Sequence, residues 1–195
     1  MTNPVYAALA QLVRDLESLG VRWALIGGLA VSTRAEPRFT RDIDLCVVAA
    51  DDKAAEHVTL CLRDLGYDVM ALVEQEYVGR LATVRLAPPL AGGVVVDLLF
   101  ASSGVEGEIA AVAERLEILP RIVVPVANAG HLVVLKLLAH DDARPQDAAD
   151  LVALRAVLSP NDKAEALRLA ALVVTRGFHR DRDLVKLVES YLASG

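Results

Sequence analysis

The feature that most constrains this chain is an apolar run that ends in two glycines and is followed by a closely spaced pair of aspartates. The run ALIGG occupies residues 24–28, and a second apolar run begins with the segment RDIDL at residues 41–45. Alternate side chains of a strand lie on one face, about 7 Å apart, so Asp42 and Asp44 should lie side by side. Two parallel carboxylates beside a glycine turn suit divalent cations that carry phosphate groups. Phosphoryl chemistry is therefore the first hypothesis.

The length and composition favour one large domain, or one domain with a helical appendage. The chain has 195 residues, of which 54% are hydrophobic and only 4% aromatic, so its core should consist mostly of valine, leucine and alanine. The net charge of −6 argues against non-specific coating of nucleic acid, which needs a basic face, but it allows a specific RNA held by a local patch. Cys46 and Cys61 are expected to be buried thiols of a reducing cytosol, not a disulfide or metal pair.

The sequence predicts a cytoplasmic protein that does not associate with membranes. The N-terminus lacks a basic segment followed by an apolar one, so we expect no signal peptide. No apolar run reaches the ~18 residues that a membrane-spanning helix needs.

The apolar periodicity predicts an α/β (α+β) fold with a mixed sheet flanked by helices, followed by a C-terminal helical bundle. Helices are expected at residues 4–19, 28–33, 54–65 and 104–115, and strands at 21–26, 42–48, 67–72, 80–86, 94–100 and 122–126. Four further helices are expected at residues 129–140, 146–158, 162–176 and 182–192. We therefore expect an α/β domain at residues 1–126 and a helical domain at residues 127–195 that packs against it.

A third aspartate, Asp97, interrupts the apolar run at residues 94–100. Burying an unpaired carboxylate costs on the order of several kcal/mol, so Asp97 should face a polar site beside the strand that carries Asp42 and Asp44. Three carboxylates on adjacent strands can hold two divalent ions about 3.5–4 Å apart, and Mg²⁺ (or Mn²⁺) is the expected ion. The plainer alternative is that acidic residues at the start of a strand cap a turn or stay solvated.

The glycine pair Gly27-Gly28 has a structural and a functional interpretation. Strand-to-helix turns often need glycine simply because it tolerates a positive φ. Small residues at this position also let backbone N–H groups and the N-terminus of the next helix approach an anionic triphosphate. The aspartate pair that follows favours the second interpretation.

The loop between the two motifs carries three cations, Arg34, Arg38 and Arg41. Loop arginines are solvated by default, but near a phosphate site their guanidinium groups match phosphate geometry and are expected to bind substrate. Thr40 is expected to be a turn hydroxyl within the same site, and its phosphorylation would set a dianion against the metal-binding carboxylates as a hypothetical off-switch. The basic segment at residues 179–182 is interpreted as a solvated turn in preference to an RNA contact.

Two later helices also carry candidate residues. Lys136 lies in an otherwise apolar helix, where it is either a surface lysine with a buried stem or a cation that reaches the triphosphate. Asp147 and Asp150 open the next predicted helix at a spacing that places both near one face. They either favour the positive end of the helix dipole or belong to the active site.

Four segments together resemble a known family. They are IGGLAV at residues 26–31, RFTRDIDL at 38–45, LVVLKLLA at 132–139 and RPQDAADL at 144–151. With Asp97, they resemble the nucleotidyltransferase fold of the DNA polymerase β superfamily, and within it the AbiEii/AbiGii-type toxins and the related mycobacterial MenT nucleotidyltransferases. The resemblance covers roughly residues 21–155. Gln146 stands where lysine is common in the family's last motif.

The resemblance implies a Mg²⁺-dependent toxin of a toxin–antitoxin system that transfers NMP from an NTP to RNA, at the 3′ end of tRNA, and releases pyrophosphate. It also implies a cognate antitoxin protein as a partner. The implied catalytic residues are Asp42, Asp44, Asp97, Lys136 and Asp147, of which the first three bind metal. The implied nucleotide- or substrate-binding residues are Gly27, Gly28, Arg34, Arg38, Thr40, Arg41 and Asp150.

Two other functions stay open at this point. The acceptor could be a hydroxyl of a protein or a small molecule instead of RNA. The chain could also be a catalytically silent nucleotide-binding module, although its three intact aspartates argue against that.

Overall fold

A computed structural model describes residues 3–76, 78–89, 92–139 and 145–194. The helices in these ranges are α1 (Pro4–Ser18), α2 (Gly27–Arg34), α3 (Asp52–Asp64), α4 (Glu106–Ala111), α5 (Ala129–Ala139), α6 (Pro145–Val157), α7 (Pro160–Thr175) and α8 (Leu184–Ala193). The strands are β1 (Trp23–Ile26), β2 (Asp42–Val47), β3 (Asp68–Gln75), β4 (Arg80–Ala87), β5 (Val95–Leu99), β6 (Glu114–Leu119) and β7 (Ile122–Val126). The mixed α/β fold expected from the sequence is confirmed.

The strands of the described residues form one mixed sheet in the order β3-β4-β5-β2-β1-β7-β6. β2 runs parallel to β5, and β1 runs parallel to β7, while the other neighbours are antiparallel. β2 therefore lies near the middle of the sheet, between β1 and β5. A side chain on either face of β2 therefore has neighbouring strands on both sides.

Helix α1 shows how the sequence directs packing in this fold. Asn3 caps its first turn, because its Oδ1 accepts from the backbone N–H of Val5, and Pro4 occupies the first helical position. Leu9, Leu12 and Leu16 recur at helical spacing and are fully buried. The core that they join is continuous and takes in residues on both sides of position 126, such as those of β2 and α5. The expected two-domain division at this position stays a prediction.

One secondary-structure prediction is wrong. A single helix was expected over residues 104–115, but α4 ends at Ala111 and β6 begins at Glu114. Strand β6 pairs antiparallel with β7, with Glu114 opposite Val126, so the sheet edge takes over residues whose local preference is helical. The chain reverses between these strands at Arg121, which has a φ of 70°.

The four predicted C-terminal helices are confirmed as α5 to α8. The expected end of the first of them at His140, and Arg144 in the family-like segment 144–151, lie outside the described residues. None of the helices in the described part of the chain combines the length and apolarity that a membrane crossing requires.

Candidate active site

A cavity of about 760 Å³ opens between one face of the sheet and helices α2, α5 and α6. Many of the residues singled out from the sequence line it: Gly27, Gly28, Arg38, Thr40, Asp42, Asp44, Asp97, Lys136 and Asp147. They come from β2, β5, α5, α6, the start of α2 and the loop after α2. Segments far apart in the chain therefore meet at one place.

The carboxylates lie on two neighbouring parallel strands. Asp44 of β2 is the direct cross-strand partner of Asp97 of β5, and Asp42 lies two residues earlier on the same face of β2. Burial raises the pKa of Asp44 to about 6, and the nearby charges of Asp97 and Asp42 push it in the same direction. Lys136 and the backbone N–H of Gly28 partly offset this effect. A cation at this position would relieve the repulsion among the carboxylates.

The turn that brings α2 to this face depends on Gly27. Helix α2 begins directly after β1, and Gly27 adopts a φ of +64°, which favours glycine. A Cβ atom at this position would lie 1.9 Å from Oδ2 of Asp44, which is far inside van der Waals contact. The glycine therefore allows the carboxylate to lie against the start of the helix, where the Gly28 N–H donates to it.

Asp97 is not free within this group, because Arg85 of β4 holds both of its oxygens. The guanidinium Nε lies 2.8 Å from Oδ1, and its NH2 group lies 2.7 Å from Oδ2. The two residues are direct cross-strand partners. Sequence reasoning did not single out Arg85. Its place opposite Asp97 depends on the antiparallel register between β4 and β5, which the sequence near either residue does not specify.

Helices α5 and α6 contribute a network of alternating charges. The Lys136 ammonium contacts Asp147 at 2.6 Å and Asp150 at 2.8 Å. Arg38 grips Asp150 from the other side, with its Nε 2.5 Å from Oδ1 and its NH2 group 2.8 Å from Oδ2. Burial opposes ionisation of Asp150, but hydrogen bonds from Arg38 and Lys136 hold its pKa below the usual value. Asp147 lines the cavity, whereas Asp150 lies behind it and holds both cations.

The remaining loop residues divide between the cavity and other contacts. Thr40 is a turn hydroxyl on the cavity wall, where its Oγ1 accepts from the backbone N–H of Asp42 at 3.3 Å. The Arg41 guanidinium lies 5.6 Å from the centre of the exposed Phe39 ring. The structure does not bring Arg34 into this cavity. It donates to the carbonyl oxygens of Val126 and Ala127 instead.

Another cavity residue escaped the sequence interpretation. Arg180, from the basic segment expected to be a solvated turn, lines the cavity and donates to the carbonyl and hydroxyl oxygens of Ser102 at 3.2 Å. Arg180 and Asp181 both have a positive φ, of 54° and 56°. The turn between α7 and α8 is thus bent in a way that L-residues rarely adopt, and this bend brings the guanidinium to the site.

Comparison with known proteins agrees with this geometry. The sequence pattern of the family described as "Nucleotidyl transferase AbiEii toxin, Type IV TA system" matches residues 10–192. The chain belongs to this family. A search of curated proteins found no match to the chain. As a family member, the chain is a nucleotidyltransferase, an enzyme class that uses NTP substrates and, in general, divalent metal ions. A toxin of this kind also implies a cognate antitoxin.

Solved structures share the fold. An antigenic nucleotidyltransferase-like protein from Paracoccidioides brasiliensis has 20% identity and a TM-score of 0.51, with 97% of this chain and 92% of that chain covered. A nucleotidyltransferase candidate from Thermotoga maritima has 18% identity and a TM-score of 0.50, with 78% of this chain and 93% of that chain covered. At these identities, the likeness supports the nucleotidyltransferase fold alone.

The described side chains that line the cavity are suitable ligands for a divalent metal, but they are not positioned to hold one in this structure. Asp42 and Asp44 offer the oxygen ligands that Mg²⁺ and Mn²⁺ prefer, and burial, followed by the charges of Asp97 and Asp42, raises the pKa of Asp44. Within the ranges that the structure covers, however, no three His, Cys, Asp or Glu side chains are arranged to hold an ion. Asp97, the expected third ligand, is turned to Arg85. The donor set fits the ion, and Arg85 would have to release Asp97 to complete it.

Proposed function

We propose that this protein transfers NMP from an NTP to an RNA hydroxyl at the 3′ end of tRNA, with Mg²⁺ (or Mn²⁺) and with release of pyrophosphate. The observation that carries the proposal is the placement of Asp44 opposite Asp97, beside the start of α2, in a cavity that Lys136 also lines. This combination offers carboxylates for metal, N–H groups for phosphate and a cation for the leaving group.

Each group has a role in this reaction. The start of α2 and the Lys136 ammonium would hold the triphosphate. A divalent metal held by Asp42, Asp44 and Asp97, when bound, supplies positive charge at the α-phosphate and acidifies the attacking hydroxyl. The hydroxyl oxygen bonds to the α-phosphorus while the bond from that phosphorus to the bridging oxygen breaks, and its electron pair leaves with pyrophosphate. Asp97 completes the metal site or accepts the hydroxyl proton, and Lys136 offsets charge on the pyrophosphate.

The charge distribution supports an RNA acceptor in spite of the net charge of −6. Among the residues that the structure describes, four cations line the cavity: Arg38, Arg85, Lys136 and Arg180. Each contacts an acidic group or a carbonyl oxygen in the structure, so these cations are held at the walls where a phosphate backbone would pass. A tRNA acceptor would also place the reaction in the cytoplasm, and the antitoxin is proposed as a protein partner.

Incubation with each α-labelled NTP, in turn with total tRNA and with total protein, tests the proposal. We expect label on tRNA, and none with the isosteric variant Asp44→Asn, whose thermal unfolding verifies that it folds. Undiminished labelling by this variant would exclude the mechanism. Label on protein would favour the alternative acceptor, a protein or small-molecule hydroxyl. Tight NTP binding without any label would favour a silent nucleotide-binding module.

A further inference from the structure

The contact between Arg85 and Asp97 occupies a position that the proposed chemistry also needs. Both oxygens of Asp97 accept from one planar guanidinium, at 2.8 and 2.7 Å. Such a fork is among the strongest arrangements available to a carboxylate and leaves it oriented toward the arginine. Asp97 is buried, with 11% of its side chain exposed, so it has no second position in solvent to which it can turn without cost.

The two residues are part of a row across the sheet. Arg85 of β4, Asp97 of β5 and Asp44 of β2 are successive cross-strand partners. Asp97 thus lies between a fixed cation on one side and the aspartate pair of β2 on the other. An ion that binds Asp44 from the cavity would also need an oxygen of Asp97, for which it competes with the Arg85 guanidinium. The ion and the guanidinium are both positive, so they repel each other when both lie beside Asp97.

We propose that Arg85 and the catalytic metal compete for Asp97, and that the displaced Arg85 then binds a phosphate group of the substrates. Arg85 is thus a positioning residue that keeps Asp97 out of the metal site until substrate arrives. This inference rests on the proposed function, because it assumes that Asp97 serves a metal that acts on nucleotide.

The exposure of Arg85 supports the second half of the proposal. Half of its side chain is exposed, 50% against 11% for Asp97, and it lines the cavity. The guanidinium can therefore move while the aspartate cannot. A phosphate offers the same pair of oxygens as a carboxylate, so Arg85 can exchange one for the other without losing its geometry. The phosphate would come either from the triphosphate or from the backbone of the RNA acceptor.

Titration of Mn²⁺ in the absence of nucleotide, followed by electron paramagnetic resonance, tests the competition. Removal of the guanidinium in Arg85→Gln should tighten Mn²⁺ binding about 2- to 5-fold, the range for loss of one partly exposed ion pair. Arg85→Lys keeps the charge without the fork and should tighten binding as well. Equal affinity in the wild type and Arg85→Gln would overturn the competition. The competition would also be overturned if Arg85→Gln bound Mn²⁺ more tightly while Arg85→Lys kept the wild-type affinity. Charge repulsion between residue 85 and the ion would then explain the effect without the contact to Asp97.

The same strand offers a matched control. Arg80 of β4 forms an ion pair with Asp52 at 2.6 Å and does not line the cavity. Arg80→Gln should leave Mn²⁺ affinity unchanged. An equal effect of Arg80→Gln and Arg85→Gln would show that any loss of charge from β4 acts this way and would overturn the assignment to Asp97.

Binding of a non-hydrolysable NTP and of total tRNA, each at saturating Mg²⁺, tests where Arg85 moves. Weaker NTP binding by Arg85→Gln identifies the triphosphate as its new partner, and weaker tRNA binding identifies the acceptor backbone. Unchanged affinity for both would overturn the transfer to phosphate.

A measurement on the wild type keeps the proposal testable if Arg85→Gln fails to fold. The side-chain N–H resonances of ¹⁵N-labelled arginine, assigned with Arg85→Lys, should shift for Arg85 when Mg²⁺ and the NTP analogue are added. An unmoved Arg85 signal would contradict displacement. If the metal competition is found but no acceptor is ever labelled, the proposed function fails while the competition at Asp97 stands.

Discussion

Asp44 is the carboxylate of the site whose ionised form is disfavoured both by burial and by neighbouring negative charges. It is half-buried on β2, where burial and then the charges of Asp97 and Asp42 raise its pKa to about 6 from a usual value of 3.8. A carboxyl group whose folded pKa is raised destabilises the folded state at pH values above that pKa. The destabilisation disappears as the pH falls through about 6 toward 4, because the group becomes protonated in the folded state first.

This destabilisation predicts that a variant can gain stability while it loses function. Asp44→Asn removes the charge and keeps the shape, so the metal-free protein should become more stable at pH 7.5, by about 1–2 kcal/mol. The gain should shrink at pH 5, where wild-type Asp44 is largely neutral. Urea unfolding of both proteins at the two pH values, without metal, measures the difference. A loss of stability at pH 7.5, or a gain that does not depend on pH, would contradict this account of Asp44.

Single residues also show how far sequence reasoning reaches. Asp42, Asp44 and Asp97 could be placed in one cavity because strand periodicity and an unusual charge in an apolar run are local signals. Arg85 and Arg180 could not, because their positions depend on strand pairing and on a turn with positive φ between two helices. Partners formed across the fold leave little trace in the chain near either residue.

At the scale of elements, the packing of α5 against α7 holds the helix that carries Lys136. Gly130 lies in the first turn of α5, and a Cβ atom added there would be 2.1 Å from the backbone oxygen of Asp162 in α7. A backbone atom cannot swing aside as a side-chain end can. The two helices therefore approach each other more closely than any other residue at this position would allow.

Gly130→Ala should force α5 and α7 apart and lower the free energy of unfolding by about 1–3 kcal/mol. It should also weaken nucleotide binding, because Lys136 lies on the displaced helix. Gly107→Ala in α4 is the matched control, since a Cβ there meets no atom within 4 Å, and it should be neutral or slightly stabilising. Chemical denaturation and NTP-analogue titration measure both effects. Equal stability of the two variants would refute the close packing at Gly130.

The elements differ in how well the sequence predicts them. Helices α5 to α8 follow from apolar periodicity over more than two turns each. Helix α7 begins at Pro160, two residues before its expected start, because Ser159 caps it. The segment at residues 104–115 misleads because its alanines and glutamates favour a helix. Its second part instead completes the sheet edge at β6, where Glu114 faces Val126. Local propensity decides long helices, whereas pairing with the next strand decides this short edge strand.

At the scale of the whole molecule, the sheet and the C-terminal helices each carry one group with a shifted pKa, and the two groups respond to pH in opposite directions. His131 of α5 is fully buried against α7, where its Nε2 lies 3.4 Å from Glu165. In the described part of the chain, its Nδ1 has no hydrogen-bond partner. Burial lowers its pKa more strongly than Glu165 raises it, and Arg168 adds to the lowering. His131 is therefore neutral in the folded protein at pH 7.

A buried neutral histidine makes the fold sensitive to acid, in the direction opposite to Asp44. Below the unfolded pKa of about 6.5, the unfolded chain binds a proton that the folded chain rejects, so stability is lost as the pH falls. His131→Gln should remove this dependence, which amounts to at most about 1.4 kcal/mol per pH unit for one group. Urea unfolding at pH 7.5, 6.5 and 5.5 should thus show a smaller acid loss in His131→Gln than in the wild type. Parallel pH dependences in the two proteins would mean that His131 takes up its proton in the folded state as readily as in the unfolded one. Water would then reach the contact between α5 and α7 and solvate the charged imidazole, which would contradict the complete burial of His131 between these helices.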